Sequence, residues 1–181
     1  YLIVGGGVAG TTAAEIIRQR DPAGSIAIVS DEPYRLYSRI ILSKPNFFLE
    51  KIPFEQVWLK TEAWYAEKRI ELIAGKRATV LDPAKKEVAL DDGAVIRYGK
   101  LLLALGGQAR RWDALGTDKD GVLYLRTLDE AKAIIASVKT AKRAVAVGGG
   151  FVSFEMCEML RMAGLEVTLL LRDTHYWGSC L

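Results

Sequence analysis

The stretch YLIVGGGVAG, residues 1–10, decides the fold that this sequence predicts. Residues 2–4 form an apolar strand, and glycines with the spacing GxGxxG follow it directly. Apolar residues at helical spacing come next, at Ala9, Ala13, Ile16 and Ile17. After the break at Asp21-Pro22, residues 25–29 form a second apolar strand. This order predicts a βαβ unit in which a glycine turn joins the first strand to the helix.

The same pattern returns in AVAVGGGFVS, residues 144–153. Residues 144–147 form the strand, and a second strand over residues 166–171 follows the helix. The apolar face of that helix is expected at Val152, Met156, Met159 and Ala163. The repeat predicts the start of a second Rossmann-like unit, so the fold class is α/β.

The region between the two repeats has a different texture. Apolar residues alternate over residues 70–90, with turns at Asp82-Pro83 and Asp92-Gly93, so we expect an antiparallel meander across residues 70–105. A last strand is expected over residues 100–105, which are continuously apolar from Leu101 onwards, as is typical of a strand buried on both faces. After a linker, Thr127 and Glu130 predict a capping box at the start of a helix.

The first glycine motif predicts nucleotide binding. Gly5 permits the tight turn, Gly7 lets the backbone approach a pyrophosphate, and Gly10 lets helix and strand pack closely. An acid that can accept ribose hydroxyl groups is expected about 20 residues further on, and Asp31 and Glu32 stand there. The alternative is a glycine turn required only for packing.

The second motif keeps Gly148 and Gly150 but has Ser153 at the third glycine position. Where an acid would follow its second strand, the sequence has Leu171 and then Arg172. Arg172 is a candidate for contacting the 2′-phosphate of NADPH, and a solvated surface arginine is the alternative. Asp173 could instead turn back as the acid of an NADH site.

Composition excludes several classes of protein. The 181 residues are 50% hydrophobic with a net charge of +3 from interspersed charges, which argues against disorder and against a nucleic-acid-binding face. No apolar run is long enough to span a bilayer. Cys157 and Cys180 cannot form a disulfide framework, and together with the single histidine, His175, they provide no metal set. We expect a cytoplasmic protein, with Cys157 buried as a packing residue. Because Tyr1 already lies in a strand, we also expect a longer natural chain.

The loop DEPYRLYSRIILSK, residues 31–44, carries a resemblance to a known family. Together with the two glycine units, it is similar to the FAD-dependent pyridine nucleotide-disulfide oxidoreductases, specifically to ferredoxin and rubredoxin reductases and the flavoprotein part of nitrite reductase. The resemblance places Ser38, Arg39 and Lys44 at the flavin. LLLALGGQAR resembles a family segment that puts Gly106 and Arg110 near FAD, and GGGFVSFE places Glu155 near the nicotinamide.

The resemblance implies an FAD-dependent NAD(P)H oxidoreductase that passes electrons to a small redox protein or a fused redox domain, such as ferredoxin, rubredoxin or a nitrite reductase module. No cysteine lies between Tyr34 and Phe48, where disulfide reductases of the family carry theirs, so no redox-active disulfide is expected. The alternatives are an NAD(P)H oxidase or quinone reductase, and a non-catalytic sensor that binds FAD or NAD(P)H. A homodimer of the full-length protein is also an open alternative.

The predicted domains are an FAD-binding half over residues 1–112 and a partial NAD(P)-binding domain over residues 113–181. The candidate catalytic residues are Lys44 and Glu155. The candidate cofactor-binding residues are Gly5, Gly7, Val8, Ala9, Gly10, Asp31, Glu32, Arg39, Lys44, Ala78, Gly106, Arg110, Gly148, Gly150, Phe151, Glu155 and Arg172.

Overall fold

The structure is a computed structural model that describes residues 1–172 and 174–176. The chain forms two compact units. The first contains Tyr1–Tyr37 and Trp58–Gly107, and the second contains Ser38–Val57 and the described part of Gln108–Leu181. Ser38–Val57 therefore groups with the second unit although it follows the first βαβ unit in sequence. The predicted domain boundary at residue 112 stays a prediction.

Strands and helices alternate at both ends of the chain. The strands are β1 Leu2–Val4, β2 Ile26–Ser30, β3 Ile70–Ala74, β4 Ala78–Asp82, β5 Glu87–Leu90, β6 Val95–Arg97, β7 Leu101–Leu103, β8 Arg143–Val147 and β9 Glu166–Leu170. The helices are α1 Val8–Arg20, α2 Pro45–Phe48, α3 Glu62–Glu67, α4 Leu128–Val138 and α5 Phe151–Met162. Two short 3₁₀ helices cover Arg39–Ser43 and Phe54–Val57.

The first unit is built on a parallel sheet with strand order β3-β2-β1-β7. On one face, Ile3 and Ile28 pack in a cluster with Ala14 of α1 and Tyr65 of α3. On the other face, Leu2 and Val29 of this sheet pack with Val88 and Leu90 of β5. The sheet is thus covered by helices on one side and by a small antiparallel sheet on the other, and the predicted α/β class is confirmed.

The small antiparallel sheet has strand order β4-β5-β6, so only the middle of the predicted meander exists. The prediction that residues 70–105 form one meander is wrong at both ends, since β3 and β7 pair in parallel with β2 and β1. Alternation of apolar residues shows that a strand is half-buried, but it does not identify the neighbouring strand. Local pattern therefore predicted the strands and missed their partners.

Strand β7 is also more exposed than expected. It lies at the edge of the parallel sheet, and Leu102 and Leu103 are 38% and 52% exposed. The prediction of a strand buried on both faces is wrong for the described residues, because Leu101 packs against the cluster of Val88 and Leu90 while Leu102 and Leu103, on opposite faces, both stay accessible. Helix spacing likewise does not show which face of a helix other elements cover. Three residues expected on apolar helix faces are exposed for this reason: Ala9, Ile16 and Val152.

The second unit contains the parallel pair β8-β9 and helices α4 and α5. Helix α4 begins at the predicted capping box, in which the Thr127 and Glu130 side chains each bond the other's backbone N–H. Met156 and Met159 of α5 are buried in a cluster that also contains Phe48. Phe48 thus fixes the segment carrying Arg39 and Lys44 against α5 within this unit.

None of the helices in the part of the chain that the structure describes has the length and apolar character needed to cross a bilayer.

Arg18 joins the end of α1 to two loops of the first unit. Its guanidinium group donates to five backbone carbonyl groups, at Asp21, Pro22, Gly24, Lys68 and Arg69. These carbonyl groups belong to the turn after α1 and to the connection between α3 and β3. A planar guanidinium suits this role, because it presents several donors in fixed directions.

We expect Arg18→Ala to lower the free energy of unfolding by about 2 to 3 kcal/mol, since several partly buried carbonyl groups would lose their donor. Urea unfolding of the complete protein measures this. The matched control is Arg20→Ala in the same last helical turn, where the side chain is exposed and a change below about 0.5 kcal/mol is expected. Equal stability of Arg18→Ala and the control would contradict this role for Arg18.

Candidate functional site

The first glycine loop contains two glycines that the fold itself requires. Gly5 has φ +122°, and a Cβ atom there would lie 2.0 Å from the carbonyl oxygen of Ala104. A Cβ atom on Gly10 would lie 1.9 Å from the carbonyl oxygen of Gly5. Both distances are far inside van der Waals contact, so β1, α1 and the chain after β7 can approach one another only if both residues are glycine.

Gly7 differs from these two. It is the N-cap residue of α1, and a Cβ atom there would meet no protein atom within 4 Å. No side chain caps this helix end, and its first turn has no acidic residue. The protein's own packing therefore does not explain the glycine at position 7. An approaching phosphate would explain it, because the open space adjoins unpaired N–H groups at the positive end of the helix.

The structure separates the two candidate acids after β2. The Tyr37 hydroxyl donates to Oε2 of Glu32 at 2.6 Å, and Glu32 is half-buried. Asp31 is exposed, and its carboxylate lies 3.3 Å from the guanidinium of Arg77. Glu32 is therefore the better-ordered candidate for binding a ribose.

The second glycine loop repeats the geometry of the first with one change. Gly148 has φ +126°, and Gly150 is the N-cap of α5 with no protein atom within 4 Å of a Cβ position. The Ser153 hydroxyl lies 2.6 Å from the carbonyl oxygen of Gly148 and 2.8 Å from that of Gly150. The first loop has Gly10 at the third glycine position, where close packing requires it. At the matching position of the second loop, the Ser153 hydroxyl forms hydrogen bonds to the loop backbone.

The region after β9 bears on nicotinamide preference. Leu171 Cδ2 lies 3.4 Å from the Cβ position of Gly149, so Leu171 covers the second glycine loop. Arg172 is exposed. Asp173, the alternative acid, lies outside the described residues. The predicted role of Arg172 stays a prediction.

An ion pair joins the two candidate catalytic residues within the second unit. Lys44 Nζ lies 2.5 Å from Oε1 of Glu155. The hydroxyl of Ser43, which is buried, donates to the other carboxylate oxygen, Oε2. Sequence reasoning expected Lys44 at the flavin and Glu155 at the nicotinamide, and the structure brings the two side chains into direct contact.

The environment of Glu155 keeps its carboxylate charged. Hydrogen bonds from Lys44 first, and then from Ser43, lower the pKa of Glu155 below its ordinary value of 4.5, against an opposing effect of burial. The carboxylate is fixed on both oxygens and deprotonated near neutral pH. Its position in turn holds the Lys44 ammonium group.

The remaining predicted residues have varied surroundings. Arg39 Nη1 donates to the carbonyl oxygen of Arg126, and Ser38 N–H donates to that of Val57, so both stabilise the second unit. Gly106 has φ +68°. Ala78 is half-buried at the start of β4. The exposed residues are Val8, Ala9, Arg110 and Phe151.

Sequence reasoning missed Tyr37 and Ser43. Both lie in the loop that carried the family resemblance, but no periodic pattern or spacing rule indicates that they hold Glu32 and Glu155. The Ser43–Glu155 contact joins positions far apart in the chain, and only the fold reveals it. The adjacency of Ser43 to Lys44 was the one available signal.

The prediction for Cys157 was partly wrong. Its side chain is half-buried rather than buried, since helix spacing predicts the face on which a residue lies but not how completely that face is covered. The Tyr176 hydroxyl donates to its sulfur atom at 3.7 Å. His175 is exposed beside Thr174. Across residues 1–172 and 174–176, no cluster of three metal-ligating side chains occurs. Cys180 lies outside the described residues.

The sequence profile described as pyridine nucleotide-disulphide oxidoreductase matches residues 1–178. This chain belongs to that family. The resemblance drawn from the loop at residues 31–44 is thereby confirmed at the level of the family.

Two relatives to which the chain is similar are named as ferredoxin reductases. The chain is 36% identical over 181 residues to the ferredoxin–NAD(+) reductase component of 3-phenylpropionate/cinnamic acid dioxygenase from Photorhabdus laumondii, covering 99% of this chain and 45% of that protein. It is 37% identical to the 5,5′-dehydrodivanillate O-demethylase ferredoxin reductase subunit from a Sphingobium species, covering 93% of this chain and 41% of that protein. The chain thus spans less than half the length of these relatives.

Solved structures agree in fold. The reductase in a covalent putidaredoxin reductase–putidaredoxin complex superposes with a TM-score of 0.89 at 30% identity, over 99% of this chain and 44% of that one. A ferredoxin reductase from Rhodopseudomonas palustris gives a TM-score of 0.86 at 34% identity, over 93% of this chain and 41% of that one. The family fold therefore accounts for nearly the whole chain.

We expect the pKa of Glu155 to rise when Lys44 is replaced by methionine, because its strongest hydrogen-bond donor is lost. Carboxyl ¹³C NMR titration of the wild type should give a midpoint below 4.5 for Glu155. The Lys44–Glu155 pair stabilises the fold at pH values above the unfolded-state pKa of Glu155. This stabilisation is lost as the pH falls through the lower pKa of Glu155 in the folded protein. Lys51→Met, an exposed lysine on the same segment, is the control. An unmoved midpoint in Lys44→Met would contradict the assignment.

Proposed function

We propose that this chain is the nucleotide-binding part of an FAD-dependent NAD(P)H oxidoreductase that passes electrons to an external acceptor. The observation that supports this most is the pair of glycine loops with matching backbone geometry, at Gly5 and Gly148, each leading to an open position at a helix N-cap. Two such loops in one chain suit two nucleotides. The names of the family relatives, which are ferredoxin reductases, support the same reaction.

The first loop fits FAD. Open space at Gly7 provides room for a pyrophosphate beside the α1 N-terminus, and Glu32 after β2 provides a carboxylate for the adenosine ribose. Gly5 and Gly10 maintain the turn that places these groups together. The predicted boundaries, residues 1–112 for FAD and 113–181 for the nicotinamide nucleotide, are part of this proposal.

The second loop fits NAD(P)H by the same reasoning at Gly150. Leu171 in place of an acid removes a carboxylate that would repel a 2′-phosphate, which favours NADPH. The relatives from Photorhabdus and the biphenyl and benzene dioxygenase systems are named for NAD(+) instead. The proposal therefore covers both nucleotides, with Arg172 as the candidate residue for discrimination.

Lys44 and Glu155 are the proposed catalytic pair. Bound FAD supplies the ability to accept a hydride from a nicotinamide and release its electrons one at a time. The ion pair holds the Lys44 ammonium in a fixed orientation, so that it can stabilise negative charge developing on a nearby cofactor without reorganising. Ser43 prevents the Glu155 carboxylate from rotating away from Lys44.

The acceptor is proposed to be a small redox protein such as ferredoxin or rubredoxin, or a fused module such as nitrite reductase. Oxygen uptake in the absence of ferredoxin would favour the alternative of an oxidase, and reduction of quinones would favour a quinone reductase. FAD binding without reduction by NADH or NADPH would favour a sensor. A cytoplasmic location is proposed because the two cysteines suit a reducing compartment.

Valine substitution at Gly7 tests the first loop. We expect Gly7→Val to fold, because a Cβ atom there would meet no protein atom within 4 Å, yet to lower FAD affinity of the complete protein at least about ten-fold by filling the phosphate space. Flavin absorbance per protein, with circular dichroism to check folding, measures this. Gly150→Val is the matched control: it should keep FAD and weaken NAD(P)H binding. A folded Gly7→Val protein fully loaded with FAD would overturn the assignment.

Replacement of Cys157 tests the absence of thiol chemistry. We expect Cys157→Ala to transfer electrons from NAD(P)H to an external acceptor at the wild-type rate within about two-fold. The reason is that no cysteine lies between Tyr34 and Phe48 to form a redox-active disulfide. The stability cost should be about 1 kcal/mol for a half-buried sulfur. Steady-state reduction of cytochrome c in the presence of ferredoxin provides the assay. Loss of flavin reoxidation in a folded variant would show that the thiol participates.

A further inference from the structure

The Glu32 carboxylate is held by a tyrosine that no glycine motif predicts. The Tyr37 hydroxyl donates to Oε2 of Glu32 at 2.6 Å, and the Tyr37 side chain is only 6% exposed. Tyr37 follows Glu32 by one loop of the chain, so the donor reaches back to the end of strand β2. The carboxylate is therefore oriented by a contact within the protein itself.

The Tyr37 ring is itself fixed from two sides. Its backbone forms an antiparallel bridge with Trp58, and the rings of the two residues meet edge to face, with centroids 6.5 Å apart. The Tyr34 ring contacts Tyr37 edge to face at 6.4 Å. The hydroxyl of Tyr37 has a defined position.

Arg35 restricts the Trp58 ring that contacts Tyr37. The Arg35 guanidinium stacks 4.5 Å from the centre of the Trp58 ring and forms an ion pair with Glu62 at 2.9 Å. Asp31 has no such support, because it is exposed and contacts only the exposed guanidinium of Arg77 among the ion pairs of the described residues. The rigid surroundings thus belong to Glu32 and not to its neighbour.

We propose that Tyr37 is a positioning residue that holds Glu32 ready to accept the hydroxyl groups of the FAD adenosine ribose. The inference rests on the proposed function of the first glycine loop and deepens it by assigning the acid and its support. A glutamate has several rotatable bonds, and fixing them before the ligand arrives lowers the entropic cost of binding. Loss of the Tyr37 hydroxyl should weaken FAD binding without removing any group that touches FAD.

The test is a double-mutant cycle in the complete protein. We expect Tyr37→Phe to raise the Kd for FAD about three- to ten-fold, measured by quenching of flavin fluorescence on binding to the FAD-free protein. Glu32→Ala should raise it further. In the Glu32→Ala background, Tyr37→Phe should change the Kd less than about two-fold, because the hydroxyl has lost the group through which it acts.

Tyr65→Phe is the matched control. It also removes a buried tyrosine hydroxyl next to this loop, at the Leu36 N–H, but not one that contacts Glu32. Its Kd for FAD should stay within about two-fold of wild type. Thermal unfolding of each FAD-free variant separates effects on binding from effects on stability.

The outcomes separate this inference from the proposed function. Wild-type protein that binds no FAD would overturn both. FAD binding that Gly7→Val abolishes and Tyr37→Phe leaves unchanged would overturn the role of Tyr37 alone. An equal effect of Tyr37→Phe with and without Glu32 would likewise overturn it, since the tyrosine would then act through the fold. If Tyr37→Phe fails to fold, unchanged FAD affinity in Tyr37→Met, whose large apolar side chain cannot donate a hydrogen bond to Glu32, would contradict the need for the hydroxyl.

Discussion

The close approach of helix α1 to strand β1 is the constraint on which the first unit depends. A single added methyl group at Gly10 would stand 1.9 Å from the carbonyl oxygen of Gly5, and one at Gly5 would stand 2.0 Å from that of Ala104. Because the helix begins this close to the sheet, its N-terminal N–H groups face the carboxyl edge of the strands, where Glu32 also lies. The backbone geometry thus brings a positive helix end and a carboxylate to the same region, which is the arrangement that a dinucleotide needs.

The second unit also joins a strand to a helix through a glycine loop, but a side-chain hydroxyl holds this loop. Its loop lacks the third glycine, and the Ser153 hydroxyl bonds the loop carbonyl groups instead. Phe48 and the Lys44–Glu155 pair fasten the segment Ser38–Val57 to helix α5. Residues that the family resemblance assigned to the flavin therefore belong structurally to the unit that carries the nicotinamide candidates.

Local sequence rules predicted the parts of this structure that depend on local physics. The two glycine loops, the helices after them and the capping box at Thr127 all follow from turn geometry, helix periodicity and backbone hydrogen bonding. The partner of β3 and the exposure of Leu103 were missed because strand periodicity carries no information about neighbours. Tyr37 and Ser43 were missed for a similar reason, since each acts on a carboxylate through a contact that only the folded chain creates. The contacts that orient the Glu32 and Glu155 carboxylates were thus less predictable from sequence than the backbone of the glycine loops.

Rapid mixing tests most directly whether a hydride passes between the two nucleotides, as we propose. The complete protein, loaded with FAD and kept free of oxygen, is mixed with NADH or NADPH while the visible flavin band is followed. We expect the band to bleach with at least one of the two nucleotides, and addition of an oxidised ferredoxin or rubredoxin to restore it. A flavin band that persists with both nucleotides, in protein shown to bind them, would contradict the claim.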